Sequence, residues 1–303
     1  MIVQVATEPK PLTHPLPGGR EGATVRLHPL LCGELLAPPG YLERSAAGPG
    51  RLRDTLAALG PRRRWSALPV PAFLVEHPSA GALLVDTGFH PSVVDGVRAN
   101  MGRAGSLLYT VRTSREQLVA AQLEARGIAA SDVRTVVMTH LHIDHASAVS
   151  EFPAATFVVD RREWEAAATR GWRGGYHARQ FDHAFDWRAV DYEAPSIDSF
   201  ATFGASFDLF GDGSVRLLAT PGHTAGHQSV LLRLGEREAL LCGDAAFTWR
   251  TLRDGALPAL VADEHRFRRS LREIGQYLEQ TPGALAIPGH DAEAWPRLES
   301  VYA

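Results

Sequence analysis

Thr139-His140-Leu141-His142-Ile143-Asp144-His145 follows directly on Val133-Arg134-Thr135-Val136-Val137-Met138. The second stretch reads as a buried strand. The first places three imidazoles and a carboxylate at its C-terminal tip, where a rigid base lets side chains converge. His140 and His142 are two apart, so in an extended tip they point the same way. Asp144 and His145 follow at a tighter turn and face a second point nearby. One metal cannot comfortably take all four groups, but two can. Imidazole and carboxylate without thiolate suit zinc or a similar borderline divalent ion.

A two-metal site needs more ligands, and three further strand ends offer them. His223 lies in Thr220-Pro221-Gly222-His223-Thr224-Ala225-Gly226-His227, Asp244 in Leu241-Cys242-Gly243-Asp244-Ala245, and His290 in Ile287-Pro288-Gly289-His290-Asp291. Each follows a short apolar run and a glycine, which allows a tight strand-to-loop turn. Taken singly, His223 or His290 reads as an ordinary loop residue. Taken together and in this order, the set reads as one site built from several strands. The expected division gives His140, His142 and His223 to one metal and Asp144, His145 and His290 to the other, with Asp244 bridging.

The pattern His140-x-His142-x-Asp144-His145, then His223, Asp244 and His290, resembles the metallo-β-lactamase superfamily of hydrolases over roughly residues 70–295. That resemblance implies a mixed α/β (α+β) fold, the αββα sandwich, in which two facing β-sheets are flanked by helices and the metals sit at one edge. Leu83-Leu84-Val85-Asp86-Thr87-Gly88 matches an early element of the family, whose aspartate usually supports a ligand histidine; Asp86 takes that role here. Within the superfamily the chain is most similar to the N-acyl homoserine lactonase-like branch. The features that carry this are Pro71-Ala72-Phe73-Leu74-Val75-Glu76-His77-Pro78, the aromatic insert around Phe181-Asp182-His183, and Pro288-Gly289-His290-Asp291 with Trp295 behind it. Asp244 stands where the true β-lactamases typically have cysteine or serine, which argues against antibiotic hydrolysis. One departure matters. Many such lactonases have tyrosine three residues after the bridging aspartate, and this chain has Phe247.

The implied reaction is lactone opening by a hydroxide shared between two divalent metals, most simply zinc. Asp144 would shuttle the proton and Asp244 would hold the metal pair. Phe89, Phe181, Phe247 and Trp249 are candidates for an apolar acyl-chain pocket, with structural core as the competing reading of each. Hydrolysis of aryl esters or phosphotriesters is the alternative. A metal-binding protein without catalysis is a third reading, which the complete ligand set disfavours.

The 303 residues, 45% hydrophobic and 21% charged, suffice for one large domain. A net charge of −3 leaves no nucleic-acid footprint. Lys10 is the only lysine, so neither a P-loop nor a Schiff-base lysine is available in the core. The two cysteines, Cys32 and Cys242, do not form a disulfide framework. No apolar stretch has the length of a membrane span, and the first residues lack the apolar region of a signal peptide, so the expectation is a cytoplasmic protein. The partner expected is a small lactone or ester, not nucleic acid or membrane; a homodimer is a family expectation.

Residues 1–23, rich in proline and glycine, are expected to be a flexible arm ahead of a single metallo-hydrolase domain over 24–303. Residues 89–112 read as an irregular substrate loop, and a helix capped by Thr113 or Ser114 is expected to run to about Arg126, with Gly127 as its stop. Residues 169–210 carry a dense aromatic run without clear period. Strands are expected at Val215–Ala219, Gln228–Leu232 and Ala239–Leu241. A long helix is expected roughly from Glu264 to Gln280, with Phe267, Leu271, Ile274 and Leu278 on one stripe.

Overall fold

The computed structural model describes residues 5–38, 40–44, 56, 60–61, 65–108 and 110–303. One sheet contains β1 (Lys10–Pro11), β2 (Arg26–Ala37), β3 (Ser66–His77), β4 (Gly81–Val85), β5 (Thr110–Arg112), β6 (Thr135–Val137), β7 (Thr156–Asp160) and β8 (Asp186–Val190), in the order β1-β8-β7-β6-β4-β3-β2-β5. The other contains β9 (Asp198–Phe200), β10 (Phe203–Asp208), β11 (Val215–Ala219), β12 (Gln228–Arg233), β13 (Glu238–Gly243) and β14 (Leu285–Pro288), in the order β14-β13-β12-β11-β10-β9.

Side chains alternate across a strand, and here both faces of both sheets are apolar. Leu83, Val85 and Val137 enter one buried cluster with Leu217, Val230, Leu232 and Leu241, which fills the space between the sheets. Their neighbours Leu84 and Val136 point the other way, into a cluster with Val119, Leu123 and Trp164. Leu218, Leu231 and Leu240 likewise turn outward onto Phe267, Leu271 and Ile274 of the helix Glu264–Gln280. Helix, sheet, sheet and helix are thus stacked in that order, the expected αββα sandwich.

β4 and β6 run parallel, as do β13 and β14. β11 and β13 both pair antiparallel with β12, so they share one direction. The C-terminal ends of β4, β6, β11, β13 and β14 therefore deliver Asp86, the His140–His145 run, His223, Asp244 and His290.

Two expectations change, and a third segment gains contacts. The stretch 89–112 is not an irregular loop: it holds helices at Ser92–Asp95 and Val97–Leu108, the latter kinked at Gly102, and the edge strand β5. The helix expected from Ser114 is a 3₁₀ turn at Arg115–Gln117 followed, after Leu118, by a helix at Val119–Glu124; extended backbone at Leu118 separates them. Residues 10–16 of the N-terminal segment pair with the domain. β1 pairs with β8, Leu12 N–H donates to Ala189 O at 2.8 Å, Leu16 N–H donates to Leu209 O at 2.8 Å, and Leu12 is buried. The apolar residues spaced between the prolines give the arm something to bury, which its turn-rich composition obscured.

Candidate metal centre

Asp86 organises the site from behind. It follows β4 with φ 59°, a left-handed conformation that aspartate tolerates better than most residues. Its carboxylate accepts from Thr139 N–H at 2.8 Å, from the Thr139 hydroxyl at 2.7 Å and from His145 Nδ1–H at 2.8 Å. Because the Thr139 proton goes to Asp86, its oxygen accepts from His140 Nδ1–H at 3.0 Å. His142 gives its Nε2–H to Gly174 O at 2.8 Å, and His290 gives its Nδ1–H to Pro69 O at 2.8 Å. These four outer nitrogens are thereby protonated, so in each neutral ring the inner nitrogen keeps the lone pair.

The inner atoms converge. Three groups each bring ligand atoms within 4.8 Å of one another: His140, His142 and His223; Asp144, His145 and His290; and His140, His145 and Asp244. Asp244 stands between the first two. Its Oδ2 faces His223 Nε2 at 3.2 Å and His140 Nε2 at 3.8 Å, while its Oδ1 faces His290 Nε2 at 3.1 Å and His145 Nε2 at 3.5 Å. Asp144 Oδ2 lies 3.7 Å from His290 Nε2 and 3.8 Å from His145 Nε2. All seven residues that the sequence offered as ligands meet here, and Asp86 hydrogen-bonds His145 and Thr139 from outside.

Polar atoms in this cluster are left wanting a cation. His140 Nε2, His145 Nε2 and Asp244 Oδ1 are buried without a hydrogen-bond partner. His142 Nδ1 and His223 Nε2 are 3.0 Å apart. With the His142 proton on Nε2, its Nδ1 can only act as an acceptor here, taking the Nε2–H of a neutral His223 or, in place of that proton, lending its lone pair to a metal. Burial and the neighbouring histidines hold His140 well below its usual range; burial does the same to His223, outweighing Asp244. The charged forms of His140 and His223 are therefore disfavoured on this side. On the other side, burial opposes charge on His145, yet Asp144, Asp86 and Asp244 lift it to about 10. His290 is also raised: burial works against it, and Asp244 and Asp144 prevail. Asp244 is buried, but His290, His145 and His223 hold it well below the carboxylate range. Imidazole lone pairs and carboxylates packed this tightly fit divalent cations, whose binding would displace those protons.

The aromatic candidates separate. Phe247 is buried with its ring stacked on His290 (centroids 5.4 Å apart) and meeting His223 edge-on at 5.2 Å. Tyr41 touches the Phe247 ring edge-on at 6.4 Å. Phe89 and Phe181 do not line the site. Both are fully buried in the core outside the eight-stranded sheet, where Phe181 packs edge-on against Trp164. Trp249 lines a cleft of about 430 Å³ with Arg253, Trp295 and Tyr302, and none of the metal-group residues borders it. Residue type fixed these rings as apolar, but not the face they occupy.

Several supporting groups escaped the sequence. Gly174 and Pro69 act through backbone carbonyls, which leave no residue-type signal. Gly175 comes so close to His142 that a Cβ there would lie 2.7 Å from Nε2. Tyr176, one of the aromatic run, pairs with His142 as an isolated bridge and lays its ring 5.2 Å from the imidazole. Glu163 is fully buried and accepts from Leu141 N–H and Gly226 N–H.

Comparison with known proteins agrees with this arrangement. Residues 65–290 match the model of the metallo-beta-lactamase superfamily. N-acyl homoserine lactonase AttM of Azorhizobium caulinodans is 37% identical over 236 residues, 77% of this chain and 85% of that protein. AttM of Agrobacterium fabrum is 35% identical with the same coverage. Among solved structures, an N-acyl homoserine lactone hydrolase with the product N-hexanoyl-L-homoserine bound at its catalytic metal centre aligns with TM-score 0.73 at 21% identity, over 94% of this chain and 98% of that one. The dizinc quorum-quenching lactonase AidC aligns at 0.59 with 14% identity, over 93% and 91%. The matched residues include every converging strand end: this chain belongs to the metallo-beta-lactamase superfamily.

Proposed function

We propose that the protein is a dinuclear metal hydrolase that opens the ring of N-acyl homoserine lactones or closely similar lactones, with zinc as the metal. The observation that carries this reading is Asp244, which turns one carboxylate oxygen toward each histidine group. His140, His142 and His223 would hold one ion, Asp144, His145 and His290 the other, and Asp244 would belong to both. The relatives at 35–37% identity, which are N-acyl homoserine lactonases, support the substrate class.

Two divalent ions held there would supply Lewis acidity for a carbonyl oxygen and a water of lowered pKa. The chain's own residues do the rest. Water adds to the lactone carbonyl carbon, the bond from that carbon to the ring oxygen breaks, and the proton lost by the water must reach the leaving oxygen. Asp144 lies at the edge of the cluster and is the carboxylate placed to hold and pass on that proton. Phe247 closes the wall over His223 and His290 and excludes water, but offers no hydroxyl to the carbonyl.

Zinc-reconstituted protein should release protons from short- and long-chain acyl homoserine lactones, and chelator-stripped protein should not. Asp244→Ala and His140→Ala should lose bound zinc and at least about a hundredfold in kcat/KM, with unchanged circular dichroism. Full turnover by either variant would refute the assignment. Phe247 favours one second reading, hydrolysis of an aryl ester or phosphotriester that needs no phenolic donor. A zinc-loaded protein active on those substrates and silent on lactones would establish it.

A further inference from the structure

The run His223-Thr224-Ala225-Gly226-His227 carries two histidines, and only the first enters the metal groups. His227 is fully buried, with its ring centroid 5.3 Å from that of His140 and 6.2 Å from that of His223. Both of its nitrogens are engaged. Nε2 lies 2.9 Å from Asp244 N, and a backbone N–H can only donate, so Nε2 carries no proton. The other nitrogen is settled from the far end of a chain of hydrogen bonds. The Cys242 carbonyl can only accept, so the Ser229 hydroxyl donates to it at 2.9 Å. A hydroxyl has one proton, so Thr220 must donate to Ser229, again at 2.9 Å. The Thr220 proton is then spent, and His227 Nδ1 must donate to Thr220 Oγ1 at 2.9 Å.

The relay begins and ends on the two residues that flank Gly243: it accepts from Asp244 N–H and donates to Cys242 C=O. Gly243 is left-handed at φ 54°, and a Cβ there would lie 2.7 Å from His227 Nε2. The imidazole thus occupies the space that a side chain would need, and it holds the turn at the end of β13 from both sides.

We infer that His227 is a positioning residue, held as the neutral Nδ1–H tautomer, whose Nε2 fixes the backbone of Asp244 so that its two carboxylate oxygens face the two histidine groups. It is neither a metal ligand nor an acid–base group. What Asp244 is held for rests on the metal-centre reading above; the tautomer does not.

Two measurements test this. In ¹⁵N-histidine-labelled wild-type protein, the His227 signal, identified by its loss in His227→Gln, should show a protonated Nδ1 and an unprotonated Nε2 from pH 6 to 8, with and without zinc. The opposite tautomer, or a shift of either nitrogen that tracks zinc stoichiometry, would overturn the inference. The second measurement counts metals. Glutamine places an acceptor near the Nε2 position, asparagine reaches only the Nδ1 position, and alanine reaches neither. His227→Gln should retain two zinc ions and the visible spectrum of the cobalt-substituted wild type. His227→Asn and His227→Ala should bind at least one of the two metals about tenfold or more weakly and alter that spectrum. If wild type binds two metals and the alanine variant does so with unchanged affinity and spectrum, His227 does not position Asp244 and the metal reading survives. If wild type binds none, the metal reading fails, and the tautomer measurement still decides the relay. If the alanine and asparagine variants do not fold, the wild-type spectrum decides it alone.

Discussion

Glu163 shows how a single carboxylate can serve two loops. Its position, three residues after the N-cap Asp160 of the helix Arg161–Arg170, would ordinarily make it a partner for the helix start. It turns away instead. Oε1 accepts from Leu141 N–H at 3.0 Å, between His140 and His142, and Oε2 accepts from Gly226 N–H at 3.1 Å, between His223 and His227. The Tyr176 hydroxyl lies beside it and is pushed well above its usual range, by burial first and by the Glu163 charge second. Glu163→Ala would strand two buried N–H groups, at a cost of about 2–4 kcal/mol. Denaturant unfolding should show that loss together with weaker zinc binding; a variant with unchanged midpoint and zinc affinity would remove Glu163 from the site's support. At this scale the convergence of the histidines and aspartates was legible because each stands just beyond the end of an apolar strand. Glu163 was not, since nothing in its local pattern distinguishes a carboxylate that caps its own helix from one that reaches across to two loops. Phe89 and Phe181 failed for a related reason: an aromatic ring beside a motif is as useful in the core as in a pocket.

Among the elements, the helix Glu264–Gln280 begins and ends where its sequence indicated. Asp263 caps it, its carboxylate accepting from Arg266 N–H at 3.0 Å, and Phe267, Leu271 and Ile274 are buried at helical spacing. Such a helix is specified locally by cap and period. It also steadies the site. Asp263 N–H donates to Gly222 O and Ala262 N–H donates to His223 O, and Phe267 packs on Gly222. Phe267→Ala should therefore cost about 3–5 kcal/mol in unfolding free energy and also lower zinc affinity through His223. A loss of stability with no change in zinc binding would separate the helix from the metal loop. The stretch 89–112 is the opposite case. Gly96 and Gly102 interrupt any helical period, and the short helices there are held by distant partners: the Asn100 side-chain oxygen accepts from Ser147 at 2.8 Å and from Gln180 at 2.6 Å. Tertiary contacts outweigh local propensity there, so a reading of periodicity alone finds only a loop.

Across the whole molecule, one buried pair ties together segments distant in sequence. His77, at the end of β3, accepts at Nδ1 from Ser79 N–H and Ala80 N–H, so its proton is on Nε2 and goes to Asp212 Oδ2 at 3.1 Å. Asp212 also accepts from Arg20 N–H in the arm at 2.7 Å. Arm, first sheet and second sheet thus meet at one carboxylate. Burial would raise Asp212, but its bonds from Ser214, Arg20 and His77 hold it at about 2. A carboxylate whose pKa is lower in the folded than in the unfolded state stabilises the fold above its unfolded pKa, near 3.9. That contribution fades as pH falls through the folded value near 2. Asp212→Asn should be about 1–3 kcal/mol less stable at pH 7, and its deficit relative to wild type should shrink between about pH 4 and pH 2. A deficit that stays constant over that range would deny the carboxylate's charge this role. The sandwich itself was legible through the ligand pattern and the apolar strands. The pairing of residues 10–16 was not, because it depends on backbone groups of β8 and of Leu209, just beyond β10, that no sequence pattern advertises.

That docking has a consequence for the protein in concentrated solution. β8 forms the flank of the eight-stranded sheet, and without β1 its backbone donors and acceptors would be open to another chain. Two residues of β1 occupy that row, and Lys10, the only lysine, sets a charge on it and pairs with Asp186. A short, charged strand at a sheet margin is a poor template for strand addition. The arm is in this sense a guard against polymerisation, and its removal should appear first in light scattering, as growth of assemblies with concentration, before any loss in the fold of a single molecule.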